Sequence, residues 1–233
     1  MNHLSDTENQ IQNVLNFQEL ISTSFQGEIN AMCWNRKLIG DFSEIVSKVT
    51  SDENLSVISP EELLKLELSK QGQLARKTLL TDFKLLKAHG ASPTLNIIKN
   101  YERDDAFPFF PTDVYSYHVD RSPIPTATFL CTYHGASSDI IPNSKATQKI
   151  LIPEIRAELK KLYGEDDEEG FEAFLTEFFF DLHYQPKTNA QPISLGNGNL
   201  WKLAIDHPES NVLPCLHRAP KEKIGEPRLM MIC

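Results

Sequence analysis

Tyr117-His118-Val119-Asp120-Arg121, answered far downstream by Leu216-His217-Arg218-Ala219-Pro220 and then by Arg228, is the part of the chain from which fold and chemistry both follow. In a strand, residues i and i+2 point to the same side. His118 and Asp120 therefore face one way, and His217 has to reach them from a different strand. A near-adjacent pair joined by a remote third group is what a barrel or sandwich interior allows.

The surroundings of these residues read as strands. Leu95 to Tyr101, Asp113 to Val119 and Thr126 to Tyr133 are β-branched or aromatic runs bounded by prolines and turn residues. Leu200 to Ile205, Pro214 to Arg218 and Arg228 to Ile232 are shorter and similar. Between the two groups lies an insert near 143–194. Ile152-Pro153 opens a helix that ends at Gly164, and Phe171, Phe174, Leu175 and Phe178 repeat at helical spacing. That phenylalanine stripe is expected to be core.

The first 93 residues are expected to be a mainly helical support. Residues up to about Glu8 read as frayed or as a loose helix start. Ile11 to Ile21 suggests a short amphipathic segment, Glu28 to Trp34 a strand, and Phe42, Ile45, Val46 and Val49 a helix. Ser59-Pro60-Glu61-Glu62 is a helix start with a capping box. The helical pattern then runs, with a break near Gly72, to a stop at His89-Gly90. One α+β domain over 1–233 follows, with 94–233 as its barrel.

The chain has 233 residues, 40% of them hydrophobic, which is enough for a substantial core. Its 32 acids exceed its 23 bases. Without a clustered basic stripe it is a poor candidate for nucleic acid. Four scattered cysteines form no C-x-x-C pair, so neither a zinc ribbon nor a thioredoxin-like motif is expected. The N-terminus lacks a signal-peptide layout, and no apolar run is long enough to span a membrane. A cytoplasmic protein with a small-molecule substrate is the expectation.

With seven histidines and 32 acids, about one H-x-[DE] arises by chance. His207-Pro208-Glu209 is such a match, and its proline marks it as a turn. The first site is raised by its strand setting, by the distant histidine and by a basic residue in the last strand. Two histidines and one carboxylate on a metal leave open positions, which suits ferrous iron. An arginine offers a planar fork to a carboxylate.

Together, Tyr117-His118-Val119-Asp120, the strand Thr126 to Tyr133, His217-Arg218-Ala219-Pro220 and Arg228-Leu229-Met230 resemble the iron(II)/2-oxoglutarate-dependent dioxygenase superfamily. They also resemble an uncharacterised bacterial family with H-V-D-R and a late H-R-[SA]-P. The resemblance covers roughly Leu95 to the C-terminus. It implies a double-stranded β-helix, a cupin-like barrel with helices packed outside. It implies Fe(II) on His118, Asp120 and His217, and 2-oxoglutarate paired with Arg228. The implied reaction converts 2-oxoglutarate to succinate while a substrate C–H bond is oxidised. Members often carry a serine or threonine two residues after the basic residue, where this chain has Met230.

Further pocket candidates are Tyr133, for the co-substrate, and Arg121, Arg218, His134, Asp181 and His183. Two other readings remain: a cupin-like metalloenzyme that does not use 2-oxoglutarate, and a non-catalytic protein that binds a metal or ligand.

Overall fold

The structure is a computed structural model that describes residues 10–49, 52–104, 106–221, 223 and 225–233. The helix start anticipated before Glu8 lies outside the described residues. In chain order the elements are β1 (Ile11–Val14), α1 (Phe17–Ser22), β2 (Ala31–Trp34), α2 (Phe42–Lys48), β3 (Leu55–Ile58), α3 (Pro60–Lys65), α4 (Lys70–Ala88) and β4 (Thr94–Ile98). They continue as β5 (Tyr117–His118), β6 (Ala127–His134), β7 (Asp139–Ile141), β8 (Ala146–Gln148), α5 (Pro153–Tyr163), α6 (Glu168–Glu177) and β9 (His183–Pro186). The chain closes with β10 (Ile193–Ser194), β11 (Leu200–Ala204), β12 (Leu216–Arg218) and β13 (Arg228–Ile232).

The result is a mixed α+β fold built on two sheets. The larger runs β1-β2-β11-β6-β13-β4-β3, and the smaller runs β10-β7-β12-β5-β9-β8. Apart from the parallel β1–β2 pair, neighbouring strands are antiparallel. An apolar layer joins the sheets face to face. Ile140 of the smaller sheet packs with Cys33, Leu130, Trp201, Leu203 and Met230 of the larger one. The opposite face of the larger sheet, with Met32, Phe129, Cys131, Leu229 and Met231, is covered by α1 to α4.

Helix boundaries follow local chemistry. Ser59 and Glu62 form the reciprocal capping box, with Pro60 in the first turn. Gly164, at φ 79°, ends α5 in the left-handed conformation that glycine adopts without a Cβ clash. The break anticipated near Gly72 falls instead at residues 66–69, where Ser69 caps α4. Gly72 lies inside α4 because the Glu44 carboxylate, bonded to Ser69, occupies the space a Cβ would fill. On α4, Ala75, Leu79, Asp82 and Leu86 recur at spacings of three and four and face the sheet.

The first 93 residues are more than a helical support, since β1 and β2 extend one edge of the larger sheet and β3 the other. The segment Ile11 to Ile21 splits into a strand and a short helix. The insert also departs from two helices alone. α5 and α6 pack around their own core of Phe110, Ile150, Leu159, Phe171, Leu175 and Phe180. The same insert sends β8, β9 and β10 into the smaller sheet. These strands are two to four residues long and too short for a period to show in sequence. Among the described residues, no helix is long and apolar enough to cross a membrane.

One buried ion pair ties α4 to the sheet. Arg36 makes a fork of bonds to Asp82, at 2.7 and 2.5 Å, and the Tyr133 hydroxyl donates to the same carboxylate at 2.7 Å. Both charged side chains are nearly enclosed. Removing one partner leaves the other charge buried alone, which costs about 3–5 kcal/mol. Asp82→Ala is therefore expected to lower unfolding free energy by about that amount in urea titration, whereas a surface change such as Glu61→Ala shifts it by about 0.5 kcal/mol or less.

Candidate metal centre

His118 and His217 are register partners on β5 and β12, and their rings lie 4.5 Å apart. Asp120 follows β5 by two residues and faces the same side. One ligand atom from each of His118, Asp120 and His217 can be chosen so that all three lie within 4.8 Å of one another. The three groups flagged in sequence therefore converge.

Backbone carbonyls fix which ring nitrogen is available. His118 Nδ1 lies 2.8 Å from the Ser116 carbonyl, and His217 Nδ1 lies 3.2 Å from the Cys215 carbonyl. A carbonyl only accepts, so each Nδ1 carries the proton and donates it. Each Nε2 is left with its lone pair, the form a metal requires. His217 Nε2 stands 3.6 Å from Asp120 Oδ2. The Thr128 hydroxyl, on β6 of the larger sheet, donates to Asp120 Oδ2. The carboxylate is thus held from the facing sheet.

The electrostatics agree with a ligand role. Burial, reinforced by His217, pushes the His118 imidazole down to about 4, so it is neutral at ordinary pH. For Asp120, burial pushes upward, but His217, the Thr128 bond and His118 outweigh it and leave the carboxyl below its usual range. The imidazoles of His118 and His217 with the Asp120 carboxylate make a donor set suited to a divalent transition metal.

Arg228 begins β13 with its side chain buried between the sheets, two residues before the inward-facing Met230. Its Nε donates to the Ala136 carbonyl at 2.6 Å and its Nη2 to Ser138 Oγ at 3.1 Å. Thr132, opposite Met230 on β6 and two residues from inward-facing Leu130, has a buried hydroxyl without a hydrogen-bond partner.

His183 joins the centre. β9 pairs with β5 so that His183 stands opposite His118, giving a row of three imidazoles across β9, β5 and β12. Burial, then His118 and Lys149, pushes His183 down to about 3. Arg121 is at the rim, where it bonds Asp181 at 2.5 Å and Asp206 at 2.6 Å, so both Arg121 and Asp181 serve a bridge between the insert and the end of β11. A cavity of about 210 Å³ opens beside His118, Asp120, Arg121 and His183. A larger cavity of about 710 Å³, lined by Phe25, His89, Phe129 and Lys202, contains none of these groups.

Three candidates point elsewhere. Tyr133 faces the helix-covered core, stacked on Phe42 and bonded to Asp82. His134 stands opposite Leu229, which belongs to that same core. A bulge at this point opposes His134 to Leu229 and Thr132 to Met230, leaving Tyr133 as the extra residue. Alternation alone does not reveal such an extra residue. Arg218, one position after His217, lies on the other face of the smaller sheet, over the Tyr117 ring and 3.4 Å from Asp139. Thr128, Ser138 and Thr132 escaped the sequence reading, because nothing local distinguishes an inward hydroxyl on a strand. His207-Pro208-Glu209 is a turn, as expected, in which His207 Nδ1 accepts from the Glu209 amide.

No family model matches the chain, and no solved structure matches it significantly. Two curated proteins are similar to it: the ferrochelatases of Rhodopseudomonas palustris strains HaA2 and BisB5, 27% and 26% identical over 148 residues. That stretch is 63% of this chain and 43% of each relative, so it spans less than half the length of the proteins it matches.

Two outcomes follow from the geometry. Thr128→Val removes the bond that orients Asp120 and is expected to weaken Co(II) binding about 10–100-fold in calorimetric titration, with Thr128→Ser close to wild type. In the metal-free protein, His118 titrates near 4 when folded and near 6.5 when unfolded. The unfolded chain then holds the extra proton between those values, so stability falls as pH drops through that window. The melting temperature is expected to decline from pH 7 to pH 5, and to decline less in His118→Gln.

Proposed function

We propose that this chain is an Fe(II)/2-oxoglutarate-dependent oxygenase acting on a small molecule, with a double-stranded β-helix as its scaffold. The observation that carries the reading is the convergence of His118, Asp120 and His217, with both Nε2 lone pairs left available by carbonyl bonds at Nδ1. Strand order supports the scaffold. From β4 onward, the chain enters the larger sheet as β4, β6, β11 and β13, which are neighbours there. Between those visits it supplies β5, β7, β10 and β12, neighbours in the smaller sheet. Such alternation winds the chain around a common interior.

The residues fit both groups. His118, Asp120 and His217 would hold the iron, and Asp120 would offset part of its charge. Iron bound there supplies the electrons and open positions needed to activate oxygen. Arg228 would pair with the far carboxylate of 2-oxoglutarate through its planar fork. Met230 offers no hydroxyl at the position where related enzymes often have one. Ser138 Oγ already touches the Arg228 guanidinium, and the unpartnered Thr132 hydroxyl faces the same interior. Either can take the role that Met230 cannot. Enclosure between two sheets keeps bulk water from competing for these bonds. The reading also sets the enzyme in the cytoplasm, where its four cysteines remain thiols.

A second reading is favoured by the relatives. Their name denotes iron chelation, and a chain that shares part of their sequence could bind iron at this centre without 2-oxoglutarate. Anaerobic titration separates the two. Wild type is expected to bind one Fe(II) and then 2-oxoglutarate, and to release succinate on exposure to oxygen. Asp120→Ala is expected to lose iron. Arg228→Ala is expected to keep iron and to weaken 2-oxoglutarate binding about 10–100-fold, since a charge-assisted pair is lost. Iron binding in wild type with no 2-oxoglutarate uptake and no succinate would favour the second reading.

A further inference from the structure

The cavity beside the metal centre has a distinct wall. His183 is 95% buried by residue, since only 5% of its surface is exposed, and its Nδ1 is enclosed with no hydrogen-bond partner. A buried, unmet polar nitrogen carries a desolvation penalty of about 1–3 kcal/mol, and such a group calls for a functional role, a water or an ion to account for it. The ring lies 5.9 Å from His118 and lines the same 210 Å³ space.

A second oddity lies at the rim. Phe179 is the one non-glycine residue at positive φ among the described residues, at 58°. A left-handed backbone costs an ordinary residue about 1–2 kcal/mol relative to glycine. Phe179 is nevertheless 57% exposed, at the edge of the cavity. Glycine would end α6 at that point with less strain, so the position holds an aromatic ring at the rim rather than an easy turn. Val114, Val119 and Leu182 add apolar lining.

The charges narrow the class. Arg121 is the cation among the lining residues, and two carboxylates already hold it. The wall therefore offers little attraction to an anion. The volume equals about seven waters at the liquid value of about 30 Å³ each.

We propose that this cavity is the substrate chamber, taking a small uncharged molecule whose apolar, ring-sized part rests on Phe179 and whose hydroxyl or similar group bonds to His183. The assignment rests on the oxygenase reading for the word substrate; the chamber and its selectivity stand on the cavity alone. His183 comes from β9 and Phe179 from the turn after α6, so the insert would set specificity while the strands β5 and β12 supply the histidine ligands.

The test uses the full-length, metal-free chain with no 2-oxoglutarate, so that it does not depend on turnover. Benzyl alcohol and benzoate are titrated while the imidazole ring resonances are followed by NMR. Benzyl alcohol is expected to shift the His183 ring saturably and to bind about tenfold or more tightly than benzoate. His183→Ala is expected to weaken benzyl alcohol about tenfold, as for loss of a hydrogen bond to a buried group. His183→Gln, which keeps a hydrogen-bonding head and guards against misfolding of the alanine variant, is expected to stay near wild type. Phe179→Asn, which tolerates the left-handed backbone, is expected to weaken the alcohol by removing the ring. Absence of any His183 shift, equal or tighter benzoate binding, or unchanged affinity in both His183→Ala and Phe179→Asn would overturn the chamber. Succinate formation in a protein that fails this test would leave the oxygenase reading standing without the chamber. The reverse result would keep the chamber and remove the oxygenase.

Discussion

The antiparallel register of β12 against β5 is the constraint on which the centre depends. It sets His217 directly opposite His118, although 98 residues separate them in the chain (217 minus 118, less one). A one-residue slip would turn His217 to the outer face and bring Arg218 inward, because side chains alternate strictly along a strand. The smaller sheet resists that slip through its outer face, where Tyr117, Val119, Ile141 and Leu216 are buried together. Packing on one face thus fixes the chemistry on the other. The carbonyls of Ser116 and Cys215 complete the arrangement by deciding which nitrogen of each ring is offered.

The two faces of the larger sheet divide the work in a similar way. Its helix-covered side is a dense apolar layer with one ion pair at Arg36 and Asp82. Its inner side carries Thr128, Thr132 and Arg228 among apolar neighbours. Buried polar groups of this kind weaken a fold unless they are satisfied. Thr128 bonds Asp120, and Arg228 bonds Ala136 and Ser138 through Nε and Nη2. The Thr132 hydroxyl and the His183 Nδ1 have no hydrogen-bond partner. Some other unpartnered buried atoms lie away from the interior, on Asn30 and on Tyr117 and Arg218 of the outer face, so these two are singled out by their place beside the centre.

Much of this was legible in the sequence because it is local or periodic. The capping box at Ser59, the stop at Gly164 and the buried Phe171 and Leu175 of α6 are written in residues three or four apart, although Phe178, the last of the expected core stripe, stands 46% exposed past the helix end. The H-x-D pair announces itself through strand alternation. What stayed hidden depends on distant pairing. Tyr133 follows Phe129 and Cys131 onto the helix-covered face by plain alternation, whereas the bulge beside it sends His134 to that face too, and only the partner strand β13 shows it. β9 has four residues and no readable period, so His183 could be named as a candidate but not set opposite His118. Arg218 was drawn in by adjacency to His217, yet adjacency in a strand means opposite faces. Gly72 looked like a helix break, because its real task, making room for the Glu44 carboxylate, is set by a residue 28 positions earlier.

The central claim is that two imidazoles and one carboxylate from this chain hold a single metal between the sheets. X-ray absorption at the iron edge of the anaerobic Fe(II)-loaded protein tests it most directly. The account predicts a nitrogen and oxygen shell with the multiple-scattering signature of two imidazoles, falling to one in His217→Ala. A shell containing sulfur, a spectrum without imidazole scattering, or one unchanged in His217→Ala would contradict it.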